Sequence, residues 1–153
     1  MNVEARLREL GIRIPPASAP IANYTPVRRV DNLLFLAGMG PVADGKVLYP
    51  GKLGVDLSIE QGREAARLAA LNQLSLLQAY LGDLDRVSAI VKLLGFVASS
   101  PEFYDQPKVI DGASDLFVEV FGDAGRHARS AIAAPCLPMN IPVEIELIVQ
   151  ITR

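Results

Sequence analysis

A chain of 153 residues with 15 basic and 17 acidic side chains, net charge −2 and half of its residues hydrophobic is one domain's worth of sequence with a sizeable core. That balance lacks the basic excess of a nucleic-acid binder, and a single cysteine excludes an internal disulfide and a cysteine-built zinc site. No apolar run approaches the roughly 20 residues of a membrane span, and Met1 leads into charged, amphipathic sequence, so no signal peptide and a cytoplasmic location are expected.

Asn2 caps a short helix with Val3, Leu7 and Leu10 on one stripe and Gly11 as its stop. Pro15 to Pro20 read as an extended lead-in, so residues 1–20 form an N-terminal segment and 21–153 the single domain. A strand from Tyr24 to Val30, interrupted by Pro26, turns at Asp31-Asn32 into an apolar strand from Leu33 to Ala37. Gly38-Met39-Gly40-Pro41 ends it; no Lys-Ser/Thr follows and Pro41 blocks a helix, so this is not a phosphate loop. Asp44-Gly45 marks a hairpin leading to Lys46-Val47-Leu48. The strongest helix runs from Ser58 to Leu81, with a Ser58/Gln61 capping box, a Gly82 stop and a small-residue stripe of Ala65, Ala66, Ala69 and Ala70. Arg86 to Val97 is a strand apolar enough to be buried on both faces, and Ser99-Ser100-Pro101 breaks it. A second helix lies within Gln106 to Phe121, with Ile110, Ala113, Phe117 and Val120/Phe121 as its apolar stripe.

The chain then gives two strands around a proline-punctuated loop, Ala128 to Ala134 and Val143 to Ile151. Val143, Ile145, Leu147, Val149 and Ile151 share one face, with Glu144, Glu146 and Gln150 on the other. An antiparallel pairing about the loop sets Arg129 opposite Glu144, on the face away from the core. On the residues alone Arg129 reads as a structural partner of Glu144 or Glu146. The element order gives an α+β protein, a mixed sheet with two main helices packed on one face. The partly apolar open face and a mean hydropathy of +0.28 point to burial against another subunit.

Ala128-Arg129-Ser130, Leu137-Pro138 and Val143-Glu144-Ile145-Glu146 resemble the C-terminal signature of the RidA/YjgF family, also known by the names endoribonuclease L-PSP and translation initiation inhibitor. Ala22-Asn23-Tyr24, Leu36 to Pro41 and Gly82 to Val87 fall in the family's order, and Gln106-Pro107-Lys108-Val109-Ile110 with Val118 to Gly122 resemble a YjgF-like branch. The resemblance implies the chorismate-mutase-like fold, a homotrimer with a cleft at each subunit interface, and no metal or organic cofactor. It places the carboxylate-binding arginine at Arg129 and the residue that orients or activates a water at Glu144, fifteen positions on. It also places Tyr24, Gly38 and Ala131 in the pocket wall. Ala37, Gly38 and Met39 stand where members carry Ser-Gly-Gln, and Ala131 where known deaminases carry cysteine or threonine.

The function implied is hydrolysis of a reactive enamine or imine to a carbonyl compound and ammonia, with a 2-imino or 2-keto acid as the small-molecule partner. The alternative is a non-catalytic trimeric binder or regulator of small carboxylates, favoured by the losses at Ala37, Met39 and Ala131. The acidic composition argues against an endoribonuclease and against a nucleic-acid partner. His127, the only histidine, reads as a loop anchor, and Cys136 as a packing thiol.

Overall fold

The computed structural model describes residues 2–19 and 22–152; Pro20, at the end of the expected lead-in, lies outside them. Helix α1 (Val3–Glu9) starts where the Asn2 side chain accepts a hydrogen bond from the Ala5 amide at 2.8 Å. It buries Val3 and Leu7, and Gly11 ends it at a φ of +66°. Strands β1 (Val27–Val30) and β2 (Leu33–Met39) form a hairpin around Asp31, and β3 (Val42–Ala43) with β4 (Lys46–Val47) form a small second one. Pro26, which lacks a ladder donor, delays the start of β1 past the expected Tyr24.

Helix α2 (Ile59–Leu81) carries the predicted capping box, closed in both directions between Ser58 and Gln61, and the Gly82 cap in the left-handed region. Its alanine stripe at 65, 66, 69 and 70 is fully buried, which brings the helix axis close to its neighbours. Strand β5 (Val87–Ala98) follows, then α3 (Gln106–Phe121), β6 (Ala128–Ala134) and β7 (Val143–Ile151). The five long strands form one mixed sheet in the order β1-β2-β7-β5-β6.

Two expectations fail here. β6 and β7 do not pair: β7 inserts between β2 and β5, antiparallel to both, and β6 runs parallel to β5 at the far edge. The reason is the α3 crossover: a strand returning after a helix lies parallel to the strand before it, and β5–α3–β6 is such a unit. Leu93 faces Arg129 on one side and Leu147 on the other, whereas Glu144 faces Phe96. Residues paired across strands share a face, so Arg129 lies on the helix-covered face with Leu93 and Leu147, and Glu144 lies on the open one. Two strand spacings and three rows separate their Cα atoms by about 14 Å.

β5 is not buried on both faces in the single chain. Ile90, Leu93 and Val97 are fully buried under the helices, but the other face is half exposed, and an irregularity between Ile90 and Lys92 turns Val91 outward. The core is one cluster between the sheet and the helices, joining Leu34, Leu36, Ile145, Leu147 and Val149 to Leu74, Leu77, Ile110, Leu116 and Phe117. The opposite sheet face carries Phe35 at 41% and Ile132 at 47% exposure among half-buried Leu94, Phe96 and Ile148.

Candidate functional site

Arg129 leaves the edge strand β6 beneath α3. Its Nη1 donates to Asp111 Oδ1 at 2.7 Å and to Ser114 Oγ at 3.1 Å. Asp111 and Ser114 are one turn apart on α3, along the polar border of the stripe that buries Ile110, Ala113 and Phe117. Arg63 of α2 also reaches Asp111: its Nη1 lies 3.7 Å from the second oxygen of Asp111, while its Nη2 lies 2.9 Å from Asp115 one turn further on. Asp111 thus sits between two guanidinium groups. The Arg129 side chain is 23% exposed, so it is neither buried away nor freely solvated.

His127 completes this cluster. Its Nδ1 lies 2.8 Å from the Gly125 carbonyl, which can only accept, so that nitrogen carries the hydrogen. Nε2 then accepts from the Ser114 hydroxyl at 3.0 Å in the neutral ring. Burial pushes the imidazole pKa below its ordinary value, and the Arg129 charge adds to the shift. The ring also meets Phe117 edge-on, at 6.0 Å between centroids. His127 is the expected loop anchor, with the added role of orienting the Ser114 hydroxyl.

Glu144 stands apart, on the open face against β2. A Cβ at Gly38 would lie 2.9 Å from both Cδ and Oε1 of Glu144, so the bare glycine is the space this side chain occupies. Burial, and after it the nearby Glu146, raise the Glu144 pKa above the ordinary carboxylate value. The sheet is irregular here: the β2–β7 register shifts between Leu36 and Met39. Gln73 of α2, fully buried, holds that irregularity from the helix side, donating through Nε2 to the carbonyls of Ala37 at 3.0 Å and Ile145 at 2.7 Å. Asn72 beside it donates to the carbonyls of Gly40 and Val42. These two amides shape the backbone around Gly38.

The proposed pocket residues therefore lie at three places on the sheet. Arg129 and Ala131 lie on the β6 edge. Gly38 lies with Glu144 on the open face, and Tyr24, 53% exposed, precedes β1 at the opposite edge of the sheet. Near the C-terminal end of β6, Ala133, Phe103, Tyr104, Val55 and Lys52 line an open, mostly apolar cleft of about 610 Å³. Cys136, on the proline loop, is exposed rather than packed. No group of three or more potential metal ligands occurs among the described residues.

Asp111, Ser114 and Gln73 were not among the candidates read from sequence. Gln73 had a signal: two adjacent amides, Asn72-Gln73, in an otherwise apolar stretch of helix, where a buried polar group needs partners. Asp111 and Ser114 show only the spacing of a polar helix face, and nothing local says that an edge strand's arginine lies under it.

The sequence pattern described as "YjgF/chorismate_mutase-like, putative endoribonuclease" matches residues 4–151. The chain belongs to the YjgF family. Protein TCP17 of Trypanosoma cruzi is 44% identical over 153 residues, 99% of this chain and 96% of that one. The crystal structure of Atu1372 from Agrobacterium tumefaciens, a protein of unknown function, is 44% identical and superposes with a TM-score of 0.91 over 98% of this chain and 92% of its own. The crystal structure of E. coli TdcF with bound serine shares the fold at a TM-score of 0.63 and 20% identity, over 91% of this chain and 94% of its own. The YjgF fold, with its mixed sheet, agrees with the architecture expected from Ala128-Arg129-Ser130 and its companion motifs.

Proposed function

We propose that this YjgF-family chain hydrolyses small enamines or imines, 2-imino acids in particular, in a cleft completed by a neighbouring subunit of a homotrimer. The observation that carries the reading is the state of Arg129: a partly sheltered guanidinium at a sheet edge, with only Nη1 engaged among the described residues. Such a fork grips a carboxylate in two parallel hydrogen bonds. Glu144 is the group to act on water. Its raised pKa makes the ionised form a better proton acceptor, and in the reaction that carboxylate takes a proton from the water that adds to the C=N carbon. The resulting carbinolamine then expels ammonia and leaves the carbonyl compound. A protonated imine is already electrophilic, so orientation and charge placement supply most of what the reaction needs.

One chain puts Arg129 and Glu144 on opposite faces, and Tyr24 at the edge far from Arg129. A second copy is what lets the two groups serve one ligand, and the half-apolar open face around Phe35, Phe96 and Ile132 supplies surface for such an association. A trimeric carboxylate binder without turnover is the second reading, favoured by Ala37, Met39 and Ala131, which offer no hydroxyl, amide or thiol to a ligand. The serine held by TdcF is itself a small carboxylate of the class either reading requires. An RNA substrate is disfavoured by the net charge of −2.

The test is ammonia release from freshly generated 2-imino acids, run beside calorimetric binding of 2-oxobutanoate. Parent activity that Glu144→Gln abolishes, with keto-acid binding retained, supports the hydrolase. Binding without ammonia release in the parent supports the carrier. Unchanged binding in Arg129→Ala removes Arg129 from the site.

A further inference from the structure

Arg129 is anchored through one nitrogen. Nη1 makes both bonds, to Asp111 and Ser114, whereas Nε and Nη2 make none to the described residues and are not buried. The Nε and Nη2 hydrogens point the same way along one edge of the guanidinium, at a spacing that matches the two oxygens of a carboxylate. An anchor at Nη1 fixes the plane of the group and leaves that edge open.

The anchors are held in turn. Asp111 lies between Arg129 and Arg63, and Arg63 Nη1 also donates to the Lys108 carbonyl at 3.1 Å. Ser114 gives its hydroxyl hydrogen to His127, and His127 is fixed by the Gly125 carbonyl. The Ser114 oxygen therefore has its lone pairs turned to Arg129. Both anchors stand on α3, whose adjoining turns bury Val109, Ile110, Ala113 and Phe117 completely.

We infer that Asp111 and Ser114 are positioning residues: they hold Arg129 by Nη1 so that its Nε–Nη2 edge is presented to the carboxylate of a 2-keto or 2-imino acid. This rests on the reading above, that Arg129 takes the ligand's carboxylate. The opposite role, in which Asp111 occupies the arginine as a competitor that the ligand must displace, would require the ligand to use Nη1. The open Nε–Nη2 edge makes that displacement unnecessary.

The two roles predict opposite signs. The full-length assembled protein is titrated with 2-oxobutanoate by calorimetry, for the parent, Ser114→Ala, Ser114→Thr, Asp111→Asn and Arg129→Ala. Losing the anchor frees a long side chain that binding must order again, so Ser114→Ala and Asp111→Asn are expected to bind about three- to tenfold more weakly. Ser114→Thr, which keeps the hydroxyl, restores most of the loss. The Arg129 Nε–H resonance should move in Ser114→Ala and return in Ser114→Thr, a signature that a packing defect elsewhere would not produce. If Arg129→Ala loses binding while Ser114→Ala and Asp111→Asn bind as tightly as the parent or more tightly, the positioning role is overturned and the site reading survives. If Arg129→Ala itself binds like the parent, the site reading falls and this inference falls with it.

Discussion

Replacing Gly38 by alanine separates the placement of Glu144 from its chemistry. The added methyl carbon would stand 2.9 Å from the Glu144 carboxyl carbon and 2.9 Å from one of its oxygens. Ordinary van der Waals contact between carbons begins near 3.5 Å, so the carboxylate must retreat by about 0.6 Å or change rotamer. The obstacle is the far end of a flexible side chain on the open face of the sheet, so the fold has room to respond. An off-rotamer side chain costs about 0.5–1.5 kcal/mol, and we expect Gly38→Ala to lose no more stability than that. Catalysis is far less tolerant: a misplacement on the order of 1 Å can cost about 100-fold. The expected result is a drop in imine hydrolysis of roughly two orders of magnitude with little change in melting temperature and with 2-oxobutanoate binding through Arg129 retained. Ammonia release under single-turnover conditions, paired with calorimetry and thermal melts, reads all three. Hydrolysis at the parent rate in a well-folded Gly38→Ala protein would refute the placement of Glu144 as the group that guides water.

Gly112→Ala should act on the fold alone. A Cβ there runs into the Arg63 carbonyl on the neighbouring helix, which cannot rotate away, so α2 and α3 must separate. A cost of about 3 kcal/mol, or a melting temperature lower by roughly 10 °C, is expected in a chain of this size. Stability should also respond to pH in two opposite ways. His127, its pKa held below 6.5 chiefly by burial, contributes stability present above that value and lost as the pH falls from it towards the folded-state pKa. Glu144, its pKa raised above 4.5 chiefly by burial, contributes stability present below that value and lost as the pH rises through the folded-state pKa. Glu144→Gln should therefore melt higher than the parent near neutrality and no differently in acid, and equal melting at both would contradict the shift. If the proposed trimer forms through the open face, Phe35→Asp with Ile132→Asp should convert it to monomers in native mass spectrometry while the circular dichroism stays that of the parent.

The sequence carried much of the fold because its signals were local. The Ser58/Gln61 box, the Gly82 cap and the alternation from Val143 to Ile151 each lie within a few residues, and all three stand in the structure. The pairing of β6 was not local. Arg129 and Glu144 are brought near in sequence by a loop that looks like a hairpin connection, yet the partner of β6 is β5, which lies beyond a 16-residue helix. That one misplaced pairing put Arg129 on the wrong face and hid Asp111 and Ser114, which meet Arg129 only because α3 crosses above it. The contact between Gly38 and Glu144 was equally out of reach, since it depends on a register shift held by a glutamine more than thirty residues away.

The two outer strands of the sheet are unequally guarded. β1 is four residues long and carries Arg28 and Arg29, charges that discourage another strand from adding to it. β6 is seven residues long, and beyond Arg129 it reads Ser-Ala-Ile-Ala-Ala, with no charge and no proline until Pro135. A chain that has folded but not yet entered the proposed trimer thus presents an unprotected row of backbone donors and acceptors on that side. The same bareness that lets another molecule come close to Arg129 makes newly made protein prone to adding strands without limit. Slow assembly would then appear as loss of material to insoluble aggregates, at a rate that rises with concentration, and not as accumulation of a stable monomer.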